Sequence, residues 1–226
     1  MLYTKQAAQE NIRNRDGKRV FYLGPSDKLT SDARDWLQGE RIEILPASQA
    51  KPDRWKLLGG GYSEEKPEHM THLDGQTLVP KTHPRIAFRG AMDTLEAELL
   101  LCQMQTGEQR LQEVLELARQ LLRCDVLGQA VPEQPLCGLT QHQLREHSHR
   151  PQDFYGQPHF MPSPGDSAVV LQLNRVRCAV RAAELAAAAA FCDRDGAPTR
   201  TDILRSLNRM SSMLYLLMIE HKSNDK

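Results

Sequence analysis

The chain has 226 residues, and 29 Lys and Arg balance 29 Asp and Glu, so its formal charge is zero. That length suits one good-sized domain with a small extra module, and the neutral balance argues against a nucleic-acid surface, which needs a cationic excess. No segment approaches the ~18 uninterrupted apolar residues of a membrane span, and the start MLYTKQAAQENIRNRDGK has no apolar signal-peptide core, so the expectation is a cytoplasmic protein.

In chain order, Arg19 to Leu23 (RVFYL) and Arg41 to Leu45 (RIEIL) read as short strands. Between them, Leu29 to Leu37 reads as a helix capped by Thr30 or Ser31. Gly59-Gly60-Gly61 breaks the chain, and Lys66 to Pro84 reads as an irregular loop carrying His and Thr. Residues 1–65 are therefore expected to form a small β-containing module with a linker, and 66–226 a helical domain. From Arg85 onward the apolar period is helical. Ile86 to Met104 presents Phe88, Met92, Leu95, Leu99 and Cys102, and Glu108 to Leu127 presents Leu111, Val114, Leu115, Ala118, Leu121 and Leu122. Thr140 to His147 predicts a short helix, and Arg150 to Gly165 a loop. Asp166 or Ser167 caps a long helix to Cys192, and Asp202 to His221 forms the last one. The predicted fold class is all-α, an up-and-down bundle of about five helices. The five cysteines are scattered with no CxxC pair and are expected to be reduced.

The most informative feature lies in the long helix. Arg177, Arg181 and Glu184 recur at spacings of four and three, on one face, with Asn174 a turn earlier. The remainder of that helix is Val, Leu and Ala, so the stripe is expected inside the bundle. Buried charge is costly unless paired or bound to a charged ligand. An internal salt-bridge ladder and a phosphate site both fit, the latter because Arg offers a planar fork of donors to phosphate oxygens. Asp93, in line with Arg89 and Glu96, is placed to neutralise one of these arginines. Asn208 sits among Leu204, Leu207 and Met210, as a structural hydrogen bonder or a ligand contact. His142, His147, His149 and His159 crowd one connecting segment without helical HxxxH spacing, so no metal site is assigned there.

Four stretches in register resemble the ATP:cob(I)alamin adenosyltransferases, in particular the ethanolamine-utilisation branch and more distantly the propanediol-utilisation type. Lys81-Thr82-His83-Pro84-Arg85 with Gly90-Ala91-Met92-Asp93 resembles the family's Lys-x-x-Pro-Arg…Gly-x-x-Asp entry to its first helix. Phe160-Met161-Pro162-Ser163-Pro164-Gly165 resembles its Phe-x-x-Pro-x-Gly loop. Arg177 to Glu184 matches Arg-x-x-x-Arg-x-x-Glu, and Leu207-Asn208-Arg209-Met210-Ser211 resembles Leu-Asn-Arg-Leu-Ser. The sequence departs from the family twice. In place of the propanediol type's Thr-Lys-x-Gly-Asp-x-Gly loop it has Lys66-Pro67-Glu68-His69-Met70-Thr71-His72-Leu73. Where some ethanolamine-type members carry a His…Cys-Cys-x-x-Cys segment, Arg54 to Glu65 has no cysteine, so no transition-metal site is expected.

The resemblance implies transfer of the 5′-deoxyadenosyl group of ATP to the cobalt of cob(I)alamin, with Mg²⁺ as cofactor. It implies that Arg177, Arg181, Lys66, His69, Thr71, His72 and Lys81 hold the triphosphate. Glu184 would orient the nucleotide or an arginine, and Asn208 would shape its pocket. Asp93 would pair with Arg177 across a homotrimer interface, and Phe160 would press on the lower corrin face. Expected partners are ATP, the reduced corrinoid, a reductase and an ethanolamine ammonia-lyase, within a bacterial microcompartment; nucleic acid and membrane are not expected. The rival readings are a non-catalytic corrinoid or nucleotide carrier on the same bundle and a ferritin-like metal bundle. The latter needs Glu-x-x-His pairs that the long helices lack.

Overall fold

A computed structural model describes residues 1–15, 18–50 and 54–224. The chain divides into two compact units, Met1–Trp55 and Lys56–Lys226.

In the first unit β1 (Leu2–Tyr3) leads into α1 (Lys5–Glu10), followed by β2 (Ile12–Arg15), β3 (Lys18–Leu23), β4 (Lys28–Leu29), α2 (Ser31–Gly39) and β5 (Glu43–Pro46). The strands expected at RVFYL and RIEIL are β3 and β5, which pair in parallel, with β2 antiparallel on the other side of β3. Thr30 is the N-cap of α2: its hydroxyl accepts from Ala33 N–H, satisfying a donor the first turn leaves free. Ala8, Phe21, Ala33, Leu37 and Ile42 form the small core, with Tyr3 set edge-on to Phe21.

β6 (Trp55–Leu57) begins at the boundary, and in the second unit it is followed by β7 (Tyr62–Ser63), β8 (Met70–His72) and β9 (Thr77–Pro80) and then by the helices α3 (Pro84–Thr106), α4 (Leu111–Leu127), α5 (Gln141–His149), α6 (Pro151–Tyr155), α7 (Ala168–Phe191) and α8 (Thr201–Asn224). The segment read as an irregular loop is therefore in part a hairpin. β8 and β9 pair antiparallel, and Asp74 Oδ1 accepts from the backbone N–H groups of Gln76 and Thr77 in the turn. The Asp-Gly pair Asp74-Gly75 was the available hairpin signal. The segment read as loop after Arg150 holds the single-turn helix α6, started by Pro151 at a position where its missing N–H costs nothing.

The bundle itself follows the predicted periods. Phe88, Met92, Leu95, Leu99 and Cys102 of α3 are all buried, as are Leu111, Val114, Leu115, Ala118 and Leu121 of α4. α7 packs between α3 and α8, so its position fixes that of every group it carries. α3 is started by His83, whose Nδ1 accepts from Arg85 N–H, and stopped by Gly107 in the left-handed region. Burial, then Arg85 and Arg89, push the His83 pKa down, which keeps that Nδ1 an acceptor. One expectation fails: α7 is not buried on most sides. Val170, Leu173, Val176, Val180, Ala183, Ala187 and Phe191 face the core. Leu171, Cys178, Arg181 and Leu185 are exposed, Leu185 at 72%. Alanine fits either a buried or an open helix face, so the Ala-rich sequence could not tell them apart.

Candidate functional site

The arginine stripe lies along the edge of α7 rather than inside the bundle. Arg177 is half-buried, and its Nε and one terminal nitrogen donate to Asn174 Oδ1 at 3.3 and 3.0 Å. That partner is neutral and leaves the guanidinium charge uncompensated. Arg181, one turn on, is exposed and has no hydrogen bond or ion pair among the described residues. Glu184, half-buried, accepts from Asn208 Nδ2 of α8 at 3.2 Å. Asn208 is exposed, not in the core as its apolar neighbours suggested, and its Oδ1 accepts from Arg209 at 2.8 Å. The structure thus joins Glu184, Asn208 and Arg209 in one polar line across α7 and α8. It forms no ladder, since neither Arg177 nor Arg181 bonds a carboxylate among the described residues.

Arg209 was missed as a candidate in its own right. Its Nε is buried without a hydrogen-bond partner, and burial together with the nearby Arg145 and Arg205 pushes its pKa down. A guanidinium crowded by two others and partly desolvated favours the approach of an anion.

Asp93 stands exposed on α3 with no hydrogen bond or ion pair among the described residues. Its neighbours on that helix are paired: Glu96 with Arg119, and Glu98 with Arg175 at 2.8 Å. Arg175 and Arg177, two residues apart on α7, are thus treated differently, and among the described residues only the former is answered by an acid.

The candidates before α3 gather around the hairpin. Thr71 and His72 lie half-buried on β8, while Lys66 and His69 are exposed just ahead of it. Burial first, and then the charge of Lys66, lower the His72 pKa, with Asp74 opposing, so a neutral ring is favoured. Lys81, beyond β9, is exposed and bridges to Glu68 at 3.3 Å. Beneath the hairpin lies a cluster the sequence did not reveal. Asp125 of α4, fully buried, accepts from Arg85 at 3.0 and 2.7 Å and from Arg89 at 2.8 Å. Arg89, in line with Asp93 on α3, is thus drawn into this buried cluster. A lone Asp near a helix end gives no sequence signal of burial, because its counter-charges arrive from 40 and 36 positions upstream.

Phe160 is half-buried against α8. Its ring stacks on Tyr215 at 6.0 Å, the Lys222 ammonium lies 5.3 Å from its centroid, and its N–H donates to the Tyr215 hydroxyl at 3.1 Å. Lys222 is in turn paired with Asp166. Two histidines of the neighbouring segment, His147 and His159, are engaged in packing. His147 stacks on Phe154 at 3.8 Å and bonds the Tyr155 hydroxyl, and His159 bonds the Tyr215 hydroxyl and the His149 carbonyl.

The profile of the family described as cobalamin adenosyltransferase matches residues 61–221. The corrinoid adenosyltransferase EutT of Escherichia coli K12 is 32% identical over 216 residues, covering 94% of this chain and 80% of the relative. The corrinoid adenosyltransferase EutT of Salmonella typhimurium LT2 is 30% identical over 204 residues, covering 89% and 76%.

Proposed function

The chain belongs to the cobalamin adenosyltransferase family, and from that premise we propose that it transfers the 5′-deoxyadenosyl group of ATP to the cobalt of cob(I)alamin. The observation that carries this reading is the open pair Arg177 and Arg181, two cations on one helix face with no acid bound to either among the described residues.

The metal of the reduced corrinoid is itself the nucleophile. Its electron pair forms the cobalt–carbon bond as the bond from C5′ to oxygen breaks, and triphosphate leaves with that bonding pair. The protein needs no Ser, Cys or His nucleophile; its part is positioning and electrostatics. Arg181 and Arg177 face the leaving triphosphate, whose charge grows as the bond breaks. Arg209 adds a third guanidinium through Asn208, and Asn208 holds Glu184 beside the stripe. Lys66, His69, Thr71, His72 and Lys81 supply donors from the hairpin side. Asp93 pairs with Arg177 of a neighbouring copy in a homotrimer, which supplies the acid that Arg177 lacks among the described residues of its own chain. Phe160, braced by Tyr215, sits at the lower corrin face and excludes an axial ligand.

Mg²⁺ binds through few carboxylates together with substrate phosphates, and the half-exposed Glu184 beside the stripe fits that donor set. When bound, the ion shares the triphosphate charge. The adenosylcobalamin formed would serve an ethanolamine-degrading ammonia-lyase, inside a microcompartment and with a reductase supplying the reduced corrinoid.

The test is an adenosylation assay with reduced cobalamin and ATP, with and without added divalent metal. Wild type should form adenosylcobalamin, and Arg181→Ala should lose that activity, by roughly 10²-fold or more, with its helical content intact. Wild-type turnover by Arg181→Ala would falsify the phosphate assignment. Binding of both substrates by the wild type without product would instead mark a carrier.

A further inference from the structure

Arg89 uses all three guanidinium nitrogens. Nε donates to Asp125 Oδ2 at 2.8 Å, and the two terminal nitrogens donate to the carbonyls of His72 at 3.2 Å and Leu73 at 2.8 Å. β8 is the edge strand in the order β7-β6-β9-β8, so a guanidinium meets its outer edge instead of another strand. The other oxygen of Asp125 holds Arg85, which also donates to the Asp125 carbonyl at 2.9 Å. The Arg85 guanidinium lies 5.9 Å from the centroid of the Phe191 ring, and that ring sets edge-on to Phe88 at 5.3 Å. Phe191 ends α7 seven residues, about two turns, beyond Glu184. One buried carboxylate therefore ties the hairpin edge to the helix that bears the arginine stripe.

A buried ion cluster is a poor stabiliser compared with an apolar one of the same size, because desolvating the charges offsets most of their attraction. What it supplies is direction. A planar fork bonded to a carboxylate and two successive carbonyls admits one orientation of the strand.

We propose that Asp125 is a positioning residue for nucleotide binding: through Arg89 it sets the edge strand bearing Thr71 and His72 at a fixed height against the arginine helix. This rests on the reading of β8 as one wall of the ATP site. Asp125 touches no substrate, and its loss acts through the strand.

Two variants and two readouts test it on the full chain. Asp125→Asn removes the charge that both arginines share. Arg89→Lys keeps the cation but gives up the fork, and serves if Asp125→Asn fails to fold. Both should raise the KM for ATP, on the order of tenfold, with kcat at saturating ATP and the KM for the corrinoid changed by less than about twofold. In the protein without ligand, both should speed hydrogen exchange at the backbone amides of residues 70–73. Faster exchange with an unchanged KM for ATP makes the cluster merely structural and overturns the proposal, as does unchanged exchange. Failure of the β8 reading itself shows separately, as Thr71→Ala and His72→Ala both leaving the KM for ATP unchanged.

Discussion

Arg85 and Arg89 on α3 share a fully buried carboxylate, whereas Arg177 and Arg181 on α7 reach no carboxylate among the described residues. Both are pairs spaced four apart on a long helix, and their sequences look alike. The difference is in what lies opposite. Asp125 turns the first pair into architecture, while the second is left with uncompensated charge, which an anion or a neighbouring acid can answer. A satisfied cation holds the protein together, and an unsatisfied one is available to a ligand.

The contrast breaks most visibly at Asp125. Truncating it strands two half-buried guanidinium groups, so Asp125→Ala should cost about 3–5 kcal/mol. A thermal melt should then fall by roughly 6–20 °C, whereas Arg181→Ala should leave the melt unchanged while losing turnover. Equal destabilisation by the two variants would erase the distinction. Next in size, Phe160→Ala should still bind corrinoid but accumulate five-coordinate cob(II)alamin. An electronic spectrum identical to that of wild type would reject a role for the ring at the axial position.

A smaller effect sharpens the structural side. Glu108 is held by Arg110 and by His221, and its pKa is lowered to about 2. The folded value lies below the unfolded one, so this stabilisation is present above about pH 4.5 and is lost as pH falls toward 2. Glu108→Gln should therefore flatten the acid limb of the stability curve between those values, seen in urea melts at stepped pH. Smallest of all, Lys81→Ala removes an exposed bridge to Glu68 and should leave the melt within error. Any rise it causes in the KM for ATP then reports on the nucleotide alone.

The bundle was legible because apolar periodicity survives in the sequence: Phe88, Met92, Leu95, Leu99 and Cys102 are buried, as are Ile203, Leu207, Met210, Leu214, Leu217 and Met218, with Leu204 half-buried beside them. The stripe was legible as a face, since helical geometry fixes which side chains align. Its exposure was not, because Ala183 and Ala187 are buried while Ala182 and Ala189 on the same helix are open. β8 escaped notice because three residues, Met70 to His72, are too few to show alternation. Asp125 escaped because burial of a charge depends on partners brought from far along the chain. Arg209 lies inside the Leu207 to Ser211 motif, yet only the position of Arg145 and Arg205 beside it shows how little counter-charge it has.

The open face of α7 also carries Cys178, three residues before Arg181 and therefore beside it. The other cysteines are buried or half-buried, and burial drives the Cys137 thiol up to about 12 and raises that of Cys102. A maleimide fluorophore should therefore label Cys178 first, giving the unmodified protein a built-in optical reporter a single helical turn from Arg181.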